Sequence, residues 1–279
     1  MRRNHILLLF SAGLVLGCAD GPSPTGAAND APRPLAIVAG QPDAGRHPYV
    51  GLLVFDNAEG PAWRCSGSLL SATVVLTAGH CTEGAVAARI WVDESVQGNT
   101  EYPFGGATSY EGEAHTYPGF CIPCGPGLPG FAHGDVGIVV LSEPVPTSLV
   151  NQYAQLPTAG LVESLGNNSV IDQIGYGVQR QLHGGGPPAW TGRLIRLQAP
   201  ALTISGHFVH SDEFLRVSAN NAQGKGGTCF GDSGGPHLVG ATDVAVGVTS
   251  YGTNSNCAGV NYVMRIDRPD VLDWIQTLQ

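Results

Sequence analysis

Short apolar or alternating runs, separated by turn residues, follow one another along the chain from Ile37 onward. Runs of this kind, bounded by Gly, Pro, Asn and Asp, are typical of β-strands. Since no helical period separates them, the pattern predicts an all-β barrel or sandwich. The predicted strands are Val50–Phe55, Arg64–Leu70, Thr73–Leu76, Ala88–Val92, Val136–Leu141, Val170–Ile174, Leu194–Leu197, Phe214–Val217, Val244–Thr249 and Tyr262–Ile266.

The last twelve residues, RPDVLDWIQTLQ, have a helical period instead. Asp270 stands near the start of this segment, where a negative charge favours a helix. A closing amphipathic helix over about 268–278 is therefore predicted. Its apolar face is formed by Val271, Leu272, Ile275 and Leu278.

Two segments between the predicted strands have no period of either kind. They are YPGFCIPCGPGLPGF, at Tyr117–Phe131, and QLHGGGPPAWT, at Gln181–Thr191. Both are too rich in Gly and Pro for regular structure, so both are predicted to be loops.

The composition is that of a globular chain. Of the 279 residues, 43% are hydrophobic and 13% are charged, and the length suffices for one large core or two modest ones. Forty glycines and twenty prolines favour short strands and turns over helix bundles. The formal net charge is −9 and Lys225 is the single lysine. A nucleic-acid binder carries a basic face, so that class is set aside.

The amino terminus is typical of an export signal over residues 1–17. Arg2 and Arg3 precede the apolar stretch Ile6–Gly17, whose twelve residues are too few to span a bilayer. The stretch ends in VLGC, which resembles a bacterial lipobox and predicts lipidation of Cys18. The alternative is ordinary signal cleavage beside an incidental cysteine. Residues 18–36 are rich in Pro, Gly and Ala and are predicted to be a tether or propeptide.

A glycine-rich turn, GGTCFGDSGGPHLVG, contains the candidate nucleophile Ser233. Residues 231–235 match the G-x-S-x-G elbow of α/β-hydrolases, which requires a following helix and, downstream, an acid and then a histidine. Here Pro236 and a predicted strand follow instead. The one downstream histidine, His237, is only four residues away. The elbow interpretation therefore fails.

Upstream of Ser233 the chain offers a histidine and then an acid, which is the reverse of the α/β-hydrolase order of triad residues. His80 follows a predicted strand, and Asp135 begins a strongly apolar one. The order His, Asp, Ser is that of the chymotrypsin-like triad. Residues 37–279 resemble the trypsin/chymotrypsin-like serine endopeptidases over nearly their full length. The motifs that carry the resemblance are IVAG (37–40), TAGHC (77–81), DVGIVVL (135–141), GYG (175–177), GDSGGP (231–236) and SYG (250–252).

The resemblance implies a fold and an activity. The expected fold is two six-stranded antiparallel β-barrels packed together, over about 37–155 and 156–266, with the helix at the end. The expected protein is a monomeric serine endopeptidase, a hydrolase of protein or peptide substrates with no cofactor and no metal.

Catalytic roles follow from the same resemblance. Ser233 attacks the scissile carbonyl, and His80 takes its proton and later gives it to the leaving amine. Asp135 orients the imidazole. The backbone N–H groups of Gly231 and Ser233 form the oxyanion hole.

Activation is implied by the acid beside the nucleophile. In the family this acid, here Asp232, pairs with a new amino terminus, which a cut between Ala36 and Ile37 would supply. The chain is thus expected to be a zymogen. Because Ala36 is not basic, a trypsin-like activator is not expected. Self-cleavage after a small residue is compatible with the sequence, which does not identify the activating protease.

Substrate preference is implied by the position six residues before the nucleophile, Gly227. Trypsin-like enzymes carry an aspartate there, so its absence argues against basic specificity. Cleavage after uncharged, mostly apolar residues is expected. The other expected pocket residues are Thr228, Phe230, Ser250, Tyr251 and Gly252.

Cysteines number seven, or six without Cys18, and an even number in an exported chain implies disulfides. The resemblance implies the pairs Cys65–Cys81 and Cys229–Cys257. Cys121 and Cys124 have no counterpart in the family. A short local disulfide is expected for them, and the alternative is a zinc site with His115 and His133.

Two further classes of function compete with an exported or envelope-anchored protease. A catalytically idle relative would act as a binding module, and a non-peptide hydrolase would act as an esterase. The complete triad argues against the first, and its order argues against the second. The only membrane contact expected is the lipid at Cys18.

Overall fold

The computed structural model describes Ile37 and residues 40–122, 124, 132–178, 180–182, 189–191, 194–204, 212–220, 225–252, 257 and 259–279. These residues belong to one compact unit, Pro34–Gln279. No helix within the described ranges is long and apolar enough to cross a membrane.

The first half of this unit forms a closed antiparallel barrel. Its strands pair in the order β2-β3-β4-β7-β6-β5, and β5 pairs back to β2. A four-residue helix, α1 (Gly79–Thr82), follows β4. The strands, after a two-residue strand β1 (Gln41–Pro42), are β2 (Val50–Asn57), β3 (Gly60–Leu69), β4 (Val74–Thr77), β5 (Ala87–Trp91), β6 (Ser109–Thr116) and β7 (Gly137–Leu141).

The second half closes in the same way. Six strands pair in the order β11-β12-β15-β14-β13-β8, β8 pairs back to β11, and β1 adds to the outside of β11. The six barrel strands are β8 (Val170–Gly175), β11 (Leu197–Thr203), β12 (Phe214–Ala219), β13 (Pro236–Val239), β14 (Ala245–Gly252) and β15 (Gly259–Arg265), followed by α2 (Pro269–Gln276). Two further strands, β9 (Arg180–Leu182) and β10 (Ala189–Thr191), pair with each other in a separate sheet. The prediction of two six-stranded antiparallel barrels with a closing helix is confirmed.

One apolar core runs through both barrels. Large side chains of the first barrel, such as Phe55 and Trp91, share it with Phe214 and Tyr262 of the second. The apolar face predicted for the last helix is buried at Val271, Leu272 and Ile275, and Leu278 packs partly buried against the same core.

A buried polar cluster also joins the barrels. Arg196, just before β11, donates from Nε to the Asp43 carboxylate at 2.9 Å. Its Nη1 donates to the carbonyl oxygens of Val50 and Val92, at 3.0 and 3.1 Å, which lie in or beside the first barrel. His47 Nδ1 contacts the other Asp43 oxygen at 2.5 Å. Because the paired charges are buried, removal of one partner would leave the other uncompensated.

Three predicted elements differ from the structure. The strand predicted at Leu194–Leu197 begins only at Leu197 and runs on past Pro200, because Leu194 has a φ of 68° that cannot continue a ladder. Gln181–Thr191, predicted to be a loop, has a short ladder at its ends, where β9 and β10 pair. Strand β6 was missed because its sequence, SYEGEAHT, is polar.

Candidate active site

The pairing of β4 with β7 brings His80 and Asp135 together. Thr77, the last residue of β4, pairs with Gly137, the first of β7. His80 lies on α1, which follows β4, and Asp135 immediately precedes β7. Two residues separated by 55 positions therefore meet at one end of the first barrel.

Asp135 is fully buried and accepts three kinds of hydrogen bond. His80 Nδ1 lies 2.9 Å from Oδ2, and the His80 backbone N–H donates to Oδ1 at 2.7 Å. Ser250 Oγ, on β14 of the second barrel, donates to Oδ2 at 2.5 Å. A carboxylate only accepts, so His80 Nδ1 carries the ring proton. Nε2 of the neutral ring is therefore an unprotonated base.

The electrostatics of the pair favour its charged form. Burial alone would lower the pKa of His80, but the charge of Asp135 and the hydrogen bond to it raise that pKa above its ordinary value. Burial would raise the pKa of Asp135, but the charge of His80 and the hydrogen bonds from His80 and Ser250 hold it below its ordinary range. An imidazolium formed at His80 is thus stabilised in place.

Ser233 belongs to the second barrel but is held by the first. The Ser66 N–H, on β3, donates to the Ser233 carbonyl at 2.8 Å. The Ser66 hydroxyl donates to the Gly231 carbonyl at 2.9 Å and accepts from the Tyr176 N–H at 2.9 Å. These contacts fix the segment that contains Ser233 against β3.

The close approach of the two barrels requires a glycine at Gly234. Its φ of 78° lies in the left-handed region, and a Cβ there would collide with the Thr77 side chain and stand 2.6 Å from the Ser66 carbonyl oxygen. The second glycine of the GDSGG motif is thus explained by packing next to Ser233.

Two backbone donors of the turn that contains Ser233 have no partner among the described residues. Among the N–H groups of residues 231–235, those of Asp232, Gly234 and Gly235 are hydrogen-bonded within the fold. Those of Gly231 and Ser233 have none with any described residue. Unpaired backbone N–H groups are rare in folded proteins, and these are the two that the sequence resemblance placed in the oxyanion hole.

The Ser233 hydroxyl and the His80 ring, which both belong to the described part of the chain, are not hydrogen-bonded to each other. In a free enzyme this hydrogen bond is often long, and it tightens only when substrate binds. The side chain of His80 is 29% exposed, so a substrate can reach it.

Asp232 is fully buried and forms no salt bridge with any described residue, although the charge of Arg64 acts on it from further away. Its two oxygens accept from the N–H groups of Gly177, at 2.7 Å, and Cys229, at 2.9 Å. Burial raises its pKa to about 7, although these hydrogen bonds and the charge of Arg64 act in the opposite direction. The Ile37 side chain is buried in a separate small cluster on β11. The continuous chain thus has no ion pair between Ile37 and Asp232.

A cavity of about 260 Å³ opens beside Ser233. Five of the six residues expected for the pocket line it, whereas Gly227 is buried and does not. The lining residues are Thr228, Cys229, Phe230, Ser233, Thr249, Ser250, Tyr251, Gly252 and Cys257.

Three disulfides are present, and they are the pairs named from the sequence: Cys65–Cys81, Cys121–Cys124 and Cys229–Cys257. The third lines the cavity wall. Because Cys121 and Cys124 are joined to each other, neither supplies a thiolate for the alternative zinc site. His133 instead contacts Glu213 at 3.3 Å, and His115 lies 3.9 Å from Glu113.

Several site residues were not found from the sequence. Ser66 and Thr249 belong to this group, as does the role of Ser250 as a partner of Asp135. Asn261 and His237, which bond cavity threonines, were missed as well. No local signal marks Ser66 or Asn261, because each acts through a strand that is remote in sequence. Ser250 stands in the SYG motif, but its contact with Asp135 depends on the docking of the two barrels.

Comparison with known proteins identifies the class. Residues 37–275 match the family model described as Trypsin. The chain therefore belongs to the trypsin family and is, by that membership, a serine endopeptidase and a hydrolase. Trypsin-family proteases with disulfides are typically secreted.

Individual relatives support the same class. Serine protease 1 of Drosophila melanogaster is 29% identical over 242 residues, which cover 83% of this chain and 81% of that protein. Brachyurin of Leptuca pugilator is 28% identical and covers 76% of this chain and 86% of its own length. The solved structure of HL collagenase has a TM-score of 0.66 at 20% identity, covering 86% of this chain and 97% of that one. A human heparin binding protein shares the fold, at a TM-score of 0.58 and 17% identity, over 86% of this chain and 95% of its own.

Proposed function

We propose that the protein cleaves peptide bonds through an acyl-enzyme on Ser233. The observation that supports this most strongly is the buried hydrogen bond of 2.9 Å from His80 Nδ1 to Asp135, which leaves Nε2 free to act as a base. His80 takes the Ser233 proton as the hydroxyl attacks the scissile carbonyl, and then gives it to the leaving amine. A water molecule, deprotonated by His80, then attacks the acyl-enzyme in the same way and releases the second product.

Asp135 fixes the tautomer of His80 and stabilises the imidazolium that forms during attack. The N–H groups of Gly231 and Ser233, for which the described residues offer no acceptor, receive the developing oxyanion. Loss of one such donor typically costs about 10² to 10³ in rate.

The decisive experiment is labelling of the purified, processed protein with a fluorophosphonate. The wild type should be labelled on Ser233, and Ser233→Ala and His80→Ala should not. Peptide hydrolysis should fall in parallel. A folded, processed wild type that takes no label would contradict the proposal and would favour an idle binding module.

Activation is proposed to follow cleavage before Ile37. In the continuous chain Asp232 is buried, and its hydrogen-bond donors among the described residues are the backbone N–H groups of Gly177 and Cys229. A negative charge on its carboxylate is therefore not neutralised by a salt bridge within this part of the chain. The new ammonium of Ile37 would supply that charge. Mass spectrometry of the active form should find Ile37 as the first residue, and full activity in a chain that begins upstream would overturn this step.

The preferred residue before the scissile bond is proposed to be uncharged and mostly apolar. No charged side chain is among the described residues that line the cavity, and Phe230, Tyr251 and the Cys229–Cys257 disulfide give it apolar walls. A peptide library that is cleaved mainly after Arg or Lys would contradict this preference.

Export to a bacterial envelope, with a lipid on Cys18, is proposed from the sequence alone, since residues 1–36 lie outside the described residues. The full chain expressed in a bacterium should incorporate a palmitate analogue, and Cys18→Ala should not. Equal labelling of the two would remove the lipid from the proposal and leave a secreted protein.

A further inference from the structure

Two threonine side chains line the cavity beside Ser233, and each is bonded from behind. Asn261 Nδ2 reaches Thr228 Oγ1, and His237 Nε2 lies 3.0 Å from Thr249 Oγ1. Asn261 and His237 are buried, at 1% and 0% exposure. The direction of these two hydrogen bonds determines what the cavity presents to a substrate.

The first direction is fixed by the Thr228 backbone. Asn261 Nδ2 also lies 3.3 Å from the Thr228 carbonyl oxygen, which can only accept. The amide nitrogen therefore faces Thr228, and an NH₂ group only donates. Thr228 Oγ1 must accept, and its own proton is left over.

The second direction follows from the burial of His237. Burial lowers the pKa of His237 to about 3, so the ring is neutral and carries one proton. Its Nδ1 has no hydrogen-bond partner among the described residues. A proton on Nδ1 would be a buried orphan donor, which is rarer than an orphan acceptor. With the proton on Nε2, Thr249 Oγ1 accepts and its own proton is also left over.

Neither hydroxyl proton has an acceptor among the described residues, and both side chains border the cavity. The cavity therefore offers two O–H donors. It also has an acceptor beside it, because Asn261 Oδ1 is buried without a partner in the described chain. That oxygen lies 3.5 Å from the point where a Cβ on Gly252, a lining residue, would stand.

We infer that this cavity selects a carboxamide side chain, glutamine or asparagine, as the residue before the scissile bond. The inference rests on the proposed function and sharpens its uncharged preference. A carboxamide oxygen accepts from Thr228 and Thr249, and its NH₂ group donates to Asn261 Oδ1. A carboxylate would be buried with no cation to offset its charge, and a basic side chain would meet hydroxyl oxygens that already accept.

The test is a series of fluorogenic peptides that differ only in the residue before the scissile bond: Gln, Met, Glu and Lys. Gln and Met have nearly the same length and volume, so their ratio of kcat/KM isolates the polar contacts. We expect the processed wild type to favour Gln over Met by roughly 3- to 30-fold, for one to two hydrogen bonds. Glu and Lys should be cleaved more slowly than either.

Variants assign the effect to the hydroxyls. Thr249→Val should bring the Gln/Met ratio of kcat/KM down about 3- to 10-fold, and Thr249→Ser should retain the ratio. Thr228→Val tests the second donor if Thr249→Val does not fold. Rates are normalised to the sites that a fluorophosphonate titrates, so unfolded protein does not count.

A wild-type Gln/Met ratio of one or less overturns the inference, as does a ratio that neither valine variant changes. A labelled wild type that cleaves Met but not Gln overturns this inference and leaves the protease intact. A processed wild type that is neither labelled nor active overturns the proposed function itself.

Discussion

The Ser66 N–H of the first barrel donates to the Ser233 carbonyl of the second at 2.8 Å, and the Ser66 hydroxyl donates to the Gly231 carbonyl at 2.9 Å. One residue of β3 thus holds both ends of the segment that carries the proposed nucleophile and oxyanion donors. This contact couples the docking of the barrels to the geometry of catalysis.

Ser66→Ala should lower kcat about five- to tenfold with a smaller change in KM. The change leaves the Gly231 carbonyl and the Tyr176 N–H without their partner, so the oxyanion donors are less well fixed. Steady-state kinetics on one peptide checks this. Ser68→Ala on the same strand is the matched control, since the Ser68 hydroxyl is buried without a hydrogen-bond partner among the described residues. Equal losses in both variants would contradict the positioning role.

Peptide hydrolysis should be lost on acidification through the pKa of His80. Only the neutral imidazole can take the Ser233 proton, so kcat/KM is full above that pKa and falls below it. Because Asp135 raises this pKa, the midpoint should lie above 6.5. A pH profile of kcat/KM checks it. Asp135→Asn should reduce kcat by about 10⁴ by favouring the wrong tautomer. A midpoint below the ordinary pKa of a histidine would contradict the observed pairing.

Asp232 should make the uncleaved chain less stable as the pH rises from 4 to 7. The folded state keeps the Asp232 proton up to about pH 7, whereas the unfolded chain loses it near 3.8. The stabilisation is thus complete below 3.8 and is lost as the pH rises through 7, for a change of about 4 kcal/mol.

Denaturant unfolding of Ser233→Ala, which cannot cut itself, measures this slope. The same variant with Asp232→Asn is the control, because it lacks the titrating group. The difference between the two should change across pH 4–7 in the uncleaved chain and should flatten after a cut before Ile37. A difference that does not depend on pH would show that the carboxyl is ionised without the new terminus.

Arg196→Met should lower the free energy of unfolding by about 3 to 5 kcal/mol. It leaves Asp43 buried without its cation and removes the donor to Val50 and Val92. Thermal or denaturant unfolding checks this. Arg46→Met is the control, since the Arg46 side chain makes an exposed hydrogen bond, to Gln198 on the strand β11 that follows Arg196. This substitution should change the free energy of unfolding by less than about 1 kcal/mol. Similar losses would contradict the role of the buried cluster.

Sequence patterns were sufficient where a strand is buried along its whole length or where a helix has one buried face. Val50–Phe55, which is buried at every position, and the helix face of Val271 and Ile275 were predicted for this reason. The polar strand β6 was missed because its side chains are only partly buried, and the pattern reports burial rather than hydrogen bonding.

The residues of the candidate site likewise fall into those that the sequence predicted and those that it did not. His80, Asp135 and Ser233 stand in motifs that local sequence reveals. Ser66 and Asn261 do not, because their roles come from strand pairing and barrel docking, which bring remote positions together. Gly227 shows the reverse case: its position before the nucleophile motif predicted a lining residue, but of the two predicted neighbours Gly227 and Thr228 only Thr228 lines the cavity.

The hydrogen bond from Ser250 to Asp135 crosses from one barrel to the other. With Ser66 holding Ser233 in the opposite direction, each half of the molecule completes the reactive group of its neighbour. The proposed chemistry therefore depends on the interface between the two barrels, and neither barrel would catalyse the reaction alone. A slight separation of the barrels at this interface would abolish hydrolysis before either barrel unfolded.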